Sequence, residues 1–96
     1  MPYGVIYKAI NLVNGKMYIG QTVQKLEHRK WKHYSEAKNS SLIFHRAIMK
    51  YGKDNFKWVI VDEANSKEEL SEKEVYWIKR FNTYSNGYNM TLVEKV

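Results

Sequence analysis

The sequence predicts an α/β domain of the α+β kind, a small central three-stranded antiparallel sheet flanked by helices. Three observations carry that expectation. Gly4 to Thr22 reads as strand, turn, strand around Asn14-Gly15, a pair suited to a two-residue hairpin turn because both central residues need φ > 0. Phe56 to Asp62 is a short run of β-branched and aromatic residues. The stretches between and after these strands repeat apolar residues every three or four positions, the period of a helix. A chain of 96 residues can bury one core and not two, so 1–96 is read as a single domain.

Placing Asn14-Gly15 at the turn centre pairs Val13 with Lys16, Asn11 with Tyr18 and Tyr7 with Thr22. Strand alternation then puts Tyr7 and Tyr18 on one face beside the small Ala9 and Gly20, and Ile6, Ile10, Met17 and Ile19 on the other. The apolar face reads as core and the tyrosine face as the floor of a site, although tyrosine is also an ordinary strand residue. Thr22 is the expected N-cap of a first helix from Val23 to Lys38, with Leu26, His33 and Ala37 along one stripe. Arg29 shares that stripe four residues before His33, a spacing that lets both side chains converge on one anion. Ser40 or Ser41 caps a second helix that turns Phe44, Ala47, Ile48 and Tyr51 inward and stops at Gly52. The strand from Phe56 to Asp62 is apolar on both faces at its centre, which predicts cover on each side.

Ser66, with Glu69 three residues on, predicts a capping box and a third helix to Phe81. Leu70, Trp77, Ile78 and Phe81 form its inward stripe, and Glu74 sits in the middle of it. An ionised carboxylate on a buried face is costly unless a cation, a metal or several donors meet it. A turn at Asn86-Gly87 leads to Tyr88, Asn89 and Met90.

Sixteen Lys and Arg against ten Asp and Glu leave a net charge of +6, which favours an anionic partner. The cations crowd the first half of the chain and most acids lie from Asp54 onward, so the hairpin and first two helices should present a cationic surface suited to a sugar-phosphate backbone. Absence of cysteine excludes disulfides, thiolate zinc sites and a thiol nucleophile. The opening residues lack the charged start and apolar run of a signal peptide, and no apolar stretch approaches membrane-spanning length, so an intracellular, cytoplasmic protein is expected. His28 and His45 are assigned no catalytic role. Asp62-Glu63 reads as a solvated strand end, Trp58 and Trp77 as core, and Trp31 as a residue able to stack on a base.

Six polar residues remain: Tyr7, Tyr18, Arg29, His33, Glu74 and Asn89. With their neighbours they resemble the GIY-YIG nuclease family, through Gly4-Val5-Ile6-Tyr7, Tyr18-Ile19-Gly20, Arg29-Lys30-Trp31-Lys32-His33, Glu74-Val75-Tyr76-Trp77-Ile78 and Asn86-Gly87-Tyr88-Asn89. Gly4 stands one residue further from Tyr7 than the family name describes, and Trp31 one place later than the commonest pattern. The resemblance implies a metal-dependent DNA endonuclease of the homing-endonuclease kind, with no small-molecule cofactor. Glu74 would hold the metal, Mg²⁺ or Mn²⁺, as a lone hard-oxygen ligand. Arg29 would grip the scissile phosphate. Tyr7 or His33 would be the general base, Tyr18 would orient by hydrogen bonding, and Asn89 would brace the site through a tyrosine or through Glu74. Two rivals remain at this level: a non-catalytic nucleic-acid-binding module that keeps the nuclease scaffold, and a basic RNA-binding or regulatory module.

Overall fold

The hairpin forms where the sequence places it, but its register differs. β1 (Gly4–Asn11) and β2 (Met17–Thr22) pair antiparallel with Tyr7 opposite Gly20, Ala9 opposite Tyr18 and Ile10 opposite Met17. The turn is therefore a four-residue loop, Leu12 to Gly15, closed by Asn11 N–H donating to Lys16 O and Gly15 N–H donating to Asn11 O, both at 2.8 Å. Two asparagine side chains cause the wider loop. Asn11 Oδ1 accepts from Val13 N–H and Asn14 Oδ1 from Lys16 N–H, each at 2.9 Å, and only Gly15 takes a positive φ, at 78°. A two-residue turn would have needed Asn14 there as well. The slip is two residues, an even number, so Tyr7 and Tyr18 still share a face. The structure, a computed structural model, describes residues 2–90; Met1 and residues 91–96, the two ends of the predicted single domain, lie outside the described residues.

β3 (Phe56–Ala64) pairs antiparallel with the other side of β1, giving the order β2-β1-β3. It is an edge strand, and Ile60 is 51% exposed, so the expected cover on both faces is incomplete. A bulge interrupts it: Tyr7 lies opposite Ile60 but Ile6 lies opposite Asp62, leaving Val61 as the extra residue. The bulge turns Asp62 to the face that Ile6 occupies. There Asp62 Oδ2 accepts from Trp77 Nε1–H at 3.0 Å and Oδ1 accepts from Lys73 Nζ at 3.2 Å. These bonds, the indole's first, hold its carboxyl below the usual range, so Asp62 is a tether for the third helix rather than a solvated strand end.

α1 (Leu26–Ala37) and α2 (Ile43–Tyr51) cover the tyrosine face, and α3 (Lys67–Phe81) covers the other. Both faces of the sheet are thus packed, the tyrosine face included. Ala9, Phe44, Ile48 and Phe56 form one cluster with Tyr18 and Trp58; Ile6, Ile19, Leu70 and Ile78 form the second with Trp77 and Phe81. The helix starts correct two expectations and meet a third. Thr22 Oγ1 accepts from Gln24 N–H, ahead of a helix that begins at Leu26, and Ser40 Oγ accepts from Leu42 N–H ahead of α2. In both cases the hydroxyl closes a two-residue turn before the helix instead of capping it. Ser66 does cap α3 by accepting from Glu69 N–H at 3.1 Å, while Glu69 Oε1 reaches back to Asn65 N–H. Gly52 ends α2 with φ 86° and its N–H on Ile48 O.

A short helix α4 (Thr83–Asn86) follows α3 across Asn82, whose φ is 54°. Beyond it, the chain runs back to the hairpin. Tyr88 N–H donates to Met17 O at 2.9 Å, and the Tyr88 hydroxyl accepts from Asn11 Nδ2 at 3.0 Å and Asn14 Nδ2 at 3.3 Å. Gly87 permits this approach, since a Cβ there would lie 2.4 Å from Met17 O.

Candidate active site

Gly20 makes the site's geometry possible. Tyr7 is its cross-strand partner, and a Cβ at position 20 would lie 2.4 Å from Tyr7 Oη and 2.5 Å from Cζ. The absent side chain is the space in which the phenol lies across β2. From there Tyr7 Oη meets His33 Nε2 at 2.7 Å, and His33 Nδ1 meets His45 Nε2 at 2.8 Å. Tyr7, His33 and His45 are all buried, so the chain of hydrogen bonds runs through the protein interior.

Burial lowers the pKa of His33 to about 3, and the charges of Arg29, His45 and Lys32 add to that effect. The imidazole is therefore neutral at physiological pH, with one donor and one acceptor nitrogen. Either Tyr7 O–H donates to Nε2 and Nδ1–H donates to His45, or both bonds run the other way. In either direction a proton gained at one end of the chain can be passed along it. His45, which sequence reasoning set aside, is part of this chain. Its only local signal was a polar residue between Phe44 and Ala47 on the buried side of α2, which resembles a satisfied core histidine.

A groove of about 680 Å³ opens beside the outer edge of β2. Among its walls are Tyr18 and Gln21 from β2, Arg29, Lys32 and His33 from α1, His45 from α2, and Asn89. Tyr18 lies flat on Phe44, with ring centroids 4.2 Å apart, and meets His33 edge-on at 5.5 Å. Arg29 stands one helical turn before His33, so the groove holds a guanidinium beside the hydrogen-bonded chain.

Four of the six predicted residues, Tyr18, Arg29, His33 and Asn89, line this groove, and two lie behind it. Tyr7 and Glu74 are both 0% exposed. Tyr7 touches the groove through His33. Glu74 sits on the α3 side of the sheet, where its Oε1 accepts from Gln21 Nε2 at 3.1 Å, and Gln21 is the groove-lining member of that pair. Gln21 too escaped sequence reasoning, because a glutamine after a strand glycine carries no signal until its partner 53 residues away is known.

Asn89 does not brace a tyrosine or Glu74, as the sequence suggested. Its Oδ1 accepts from Ile19 N–H and its Nδ2 donates to Ile19 O, both at 2.8 Å. The amide acts as one rung of an additional strand on the open edge of β2. It thereby fixes the backbone between Tyr18 and Gly20.

The fold, the paired half-motifs on adjacent strands and the Arg29–His33 helix together define a domain of the GIY-YIG class. The chain matches the GIY-YIG catalytic domain over residues 3–89 and belongs to that family. It is 33% identical over 89 residues to intron-associated endonuclease 1 of Enterobacteria phage T4, covering 88% of this chain and 36% of that protein. It is 32% identical to a probable intron-encoded endonuclease 1 of Neurospora crassa, over 94% of this chain and 31% of that protein. The chain thus spans about a third of the length of these relatives. Among solved structures, the catalytic domain of the homing endonuclease I-TevI superposes with a TM-score of 0.80 at 30% identity, covering 92% of this chain and 98% of that one. A mutant of the same domain gives a TM-score of 0.84 at 28% identity, with both chains covered completely. No described helix is long and apolar enough to cross a membrane.

Proposed function

We propose that this domain is a divalent-metal-dependent endonuclease that hydrolyses DNA phosphodiester bonds in the groove beside β2. The observation that carries the reading is the chain from Tyr7 Oη to His33 Nε2 and on to His45, ending in a groove that also holds Arg29. The planar fork of Arg29 suits a phosphodiester, and Lys32 adds charge on the same wall. Attack on the phosphorus needs a water that loses its proton, and the Tyr7–His33 pair accepts it: as Tyr7 Oη takes that proton, the phenol's own proton crosses the 2.7 Å bond to His33 Nε2.

His33 at about pKa 3 is a weak base in the free protein. Burial is the main cause, but the charge of Arg29 is the next. A phosphate bound to Arg29 offsets that charge and moves His33 back towards its ordinary value, so substrate binding itself strengthens the base. Tyr18, held flat by Phe44, offers its phenol as an orienting hydrogen-bond partner on the groove wall.

The described residues contain no cluster of three histidine, cysteine, aspartate or glutamate side chains. That donor chemistry does not suit zinc. It fits a hard cation that keeps most of its waters and takes phosphate oxygens, Mg²⁺ or Mn²⁺, with Glu74 as the protein ligand. Such an ion, when bound, supplies neutralisation of charge on the phosphoryl oxygens and on the leaving 3′ oxygen. A carboxylate buried behind a groove that holds Arg29 and Lys32 also argues against a module that only binds nucleic acid, for which a buried negative charge there has no use.

Incubation with supercoiled plasmid tests the reading. Nicking or linearisation that requires Mg²⁺ or Mn²⁺ and disappears in Glu74→Ala and Arg29→Ala is the expected result. Salt-sensitive DNA binding without strand scission under any metal, unaltered by Glu74→Ala, would overturn it in favour of a non-catalytic binding module.

A further inference from the structure

We infer that Gln21 is a positioning residue for Glu74, the group through which the buried carboxylate is aimed at the groove. The inference rests on the proposed role of Glu74 as the cation ligand. Glu74 is 0% exposed and does not line the groove, whereas Gln21 is 8% exposed and does. The 3.1 Å bond from Gln21 Nε2 to Glu74 Oε1 joins the two.

Gln21 Nε2 is the donor in that bond. A carboxyl that holds a cation does so ionised, and an ionised carboxylate only accepts, so the amide presents its nitrogen to Glu74. A carboxylate oxygen has room for a donor on one lone pair and a cation on the other. The amide bond therefore selects the rotation of the carboxyl group without competing for the cation.

Gln21 is itself held firmly. Its backbone pairs with Ile6 on the central strand β1, and it follows Gly20, whose position the Tyr7 phenol crosses. Glu74 lies one turn of α3 after Leu70, whose methyl groups would meet a Cβ on Gly4 at 2.9 and 3.4 Å. Both partners thus hang from rigid elements that pack against each other, and the hydrogen bond between them has little slack. Groups in this relation to a metal ligand alter cation affinity by about 10- to 100-fold when removed.

The test is direct cation binding by the domain, measured as a Mn²⁺ titration followed by electron paramagnetic resonance, alongside plasmid nicking over a range of Mg²⁺ concentrations. Gln21→Leu keeps the approximate size and removes the donor; Gln21→Glu keeps the shape and replaces the donor by an acceptor. Expected for Gln21→Leu is about 10-fold or greater weakening of Mn²⁺ binding. Its nicking should recover at raised Mg²⁺, with the KM for DNA unchanged and the fold intact by circular dichroism. Gln21→Glu should instead shift the cation dependence without matching the leucine variant, since its second carboxylate adds charge beside Glu74. Wild-type cation affinity in both variants would overturn the inference. Glu74→Ala separates the two levels of the argument. If it binds Mn²⁺ as the wild type does, the cation reading of Glu74 falls and this inference with it. If Glu74→Ala loses the ion and Gln21→Leu does not, only the role of Gln21 falls.

Discussion

Replacing Gly20 with alanine is the sharpest perturbation this structure offers. The backbone there is ordinary strand and alanine can adopt it, so the effect must come from space alone. The new Cβ would lie 2.4 Å from Tyr7 Oη, 2.5 Å from Tyr7 Cζ and 2.9 Å from Tyr18 Cε2. Comfortable carbon contacts are about 3.5–4.0 Å, so the phenol must retreat by roughly 1 Å. Its 2.7 Å bond to His33 cannot survive that displacement. Overpacking costs about 1–3 kcal/mol and an orphaned buried polar pair about 1–3 kcal/mol more, so Gly20→Ala should destabilise the domain by about 2–6 kcal/mol. Misplacing the proposed acid–base pair by this distance should also slow nicking by about 100-fold. Urea unfolding and single-turnover plasmid cleavage measure the two effects. A cycle with Tyr7→Leu isolates the cause, because a leucine at position 7 does not reach the space that the new methyl occupies. On that background only the 2.9 Å approach to Tyr18 Cε2 remains, so the added cost of Gly20→Ala should fall well below its value in the wild type. An alanine variant within about 0.5 kcal/mol of wild type, or equal costs on both backgrounds, would refute the account of why this glycine is here.

Three other outcomes follow from the packing. His33 has a folded pKa of about 3 against an ordinary 6.5, so the native state disfavours its protonation and stability is complete above pH 7 and lost as pH falls towards 3. The loss between pH 7.5 and pH 5 is about 2 kcal/mol, readable by urea titration, and should vanish in His33→Gln; an unchanged slope in that variant refutes the assignment. Asp62, also depressed, acts in the same direction but only below its own unfolded range, outside this window. Asn89→Ala removes both side-chain bonds to Ile19 and strands a buried N–H and C=O, for about 2–4 kcal/mol by denaturant unfolding, and amide hydrogen exchange at Ile19 should accelerate. Unaltered protection of Ile19 would mean the clamp is not what holds the edge of β2. Thr83 is 1% exposed and, among the described residues, its Oγ1 has no hydrogen-bond partner, so Thr83→Val should be neutral or stabilising by up to about 2 kcal/mol; a clear loss of Tm contradicts this.

Much of the architecture could be read from short-range pattern. The three strands, the three long helices, the Ser66 cap and the burial of Glu74 all follow from spacing within about twenty residues. So does the shared face of Tyr7 and Tyr18, which survived an error in register because the error was even. The register itself was not legible. Asn14-Gly15 signals a tight turn, but Asn11 and Asn14 instead widen the loop and bond the hydroxyl of Tyr88, more than 70 residues further on. Asp62 looked solvated because nothing local announces the bulge at Val61 that turns it towards Trp77 and Lys73.

The candidate site divides in the same way. Which residues are candidates for the chemistry could be picked out from residue type and order, since Arg29 and His33 declare a shared helix face and Glu74 declares an acid on a buried stripe. Which of them reach the groove, and through whom, was decided in three dimensions. Tyr7 stands behind His33, Glu74 stands behind Gln21, His45 completes the hydrogen-bond chain, and Asn89 grips a backbone rather than a side chain. Helical and strand periods constrain only the direction in which a side chain leaves its own backbone. The partner it meets depends on how separate elements pack, and that depends on shape and on hydrogen bonds between residues far apart in the chain.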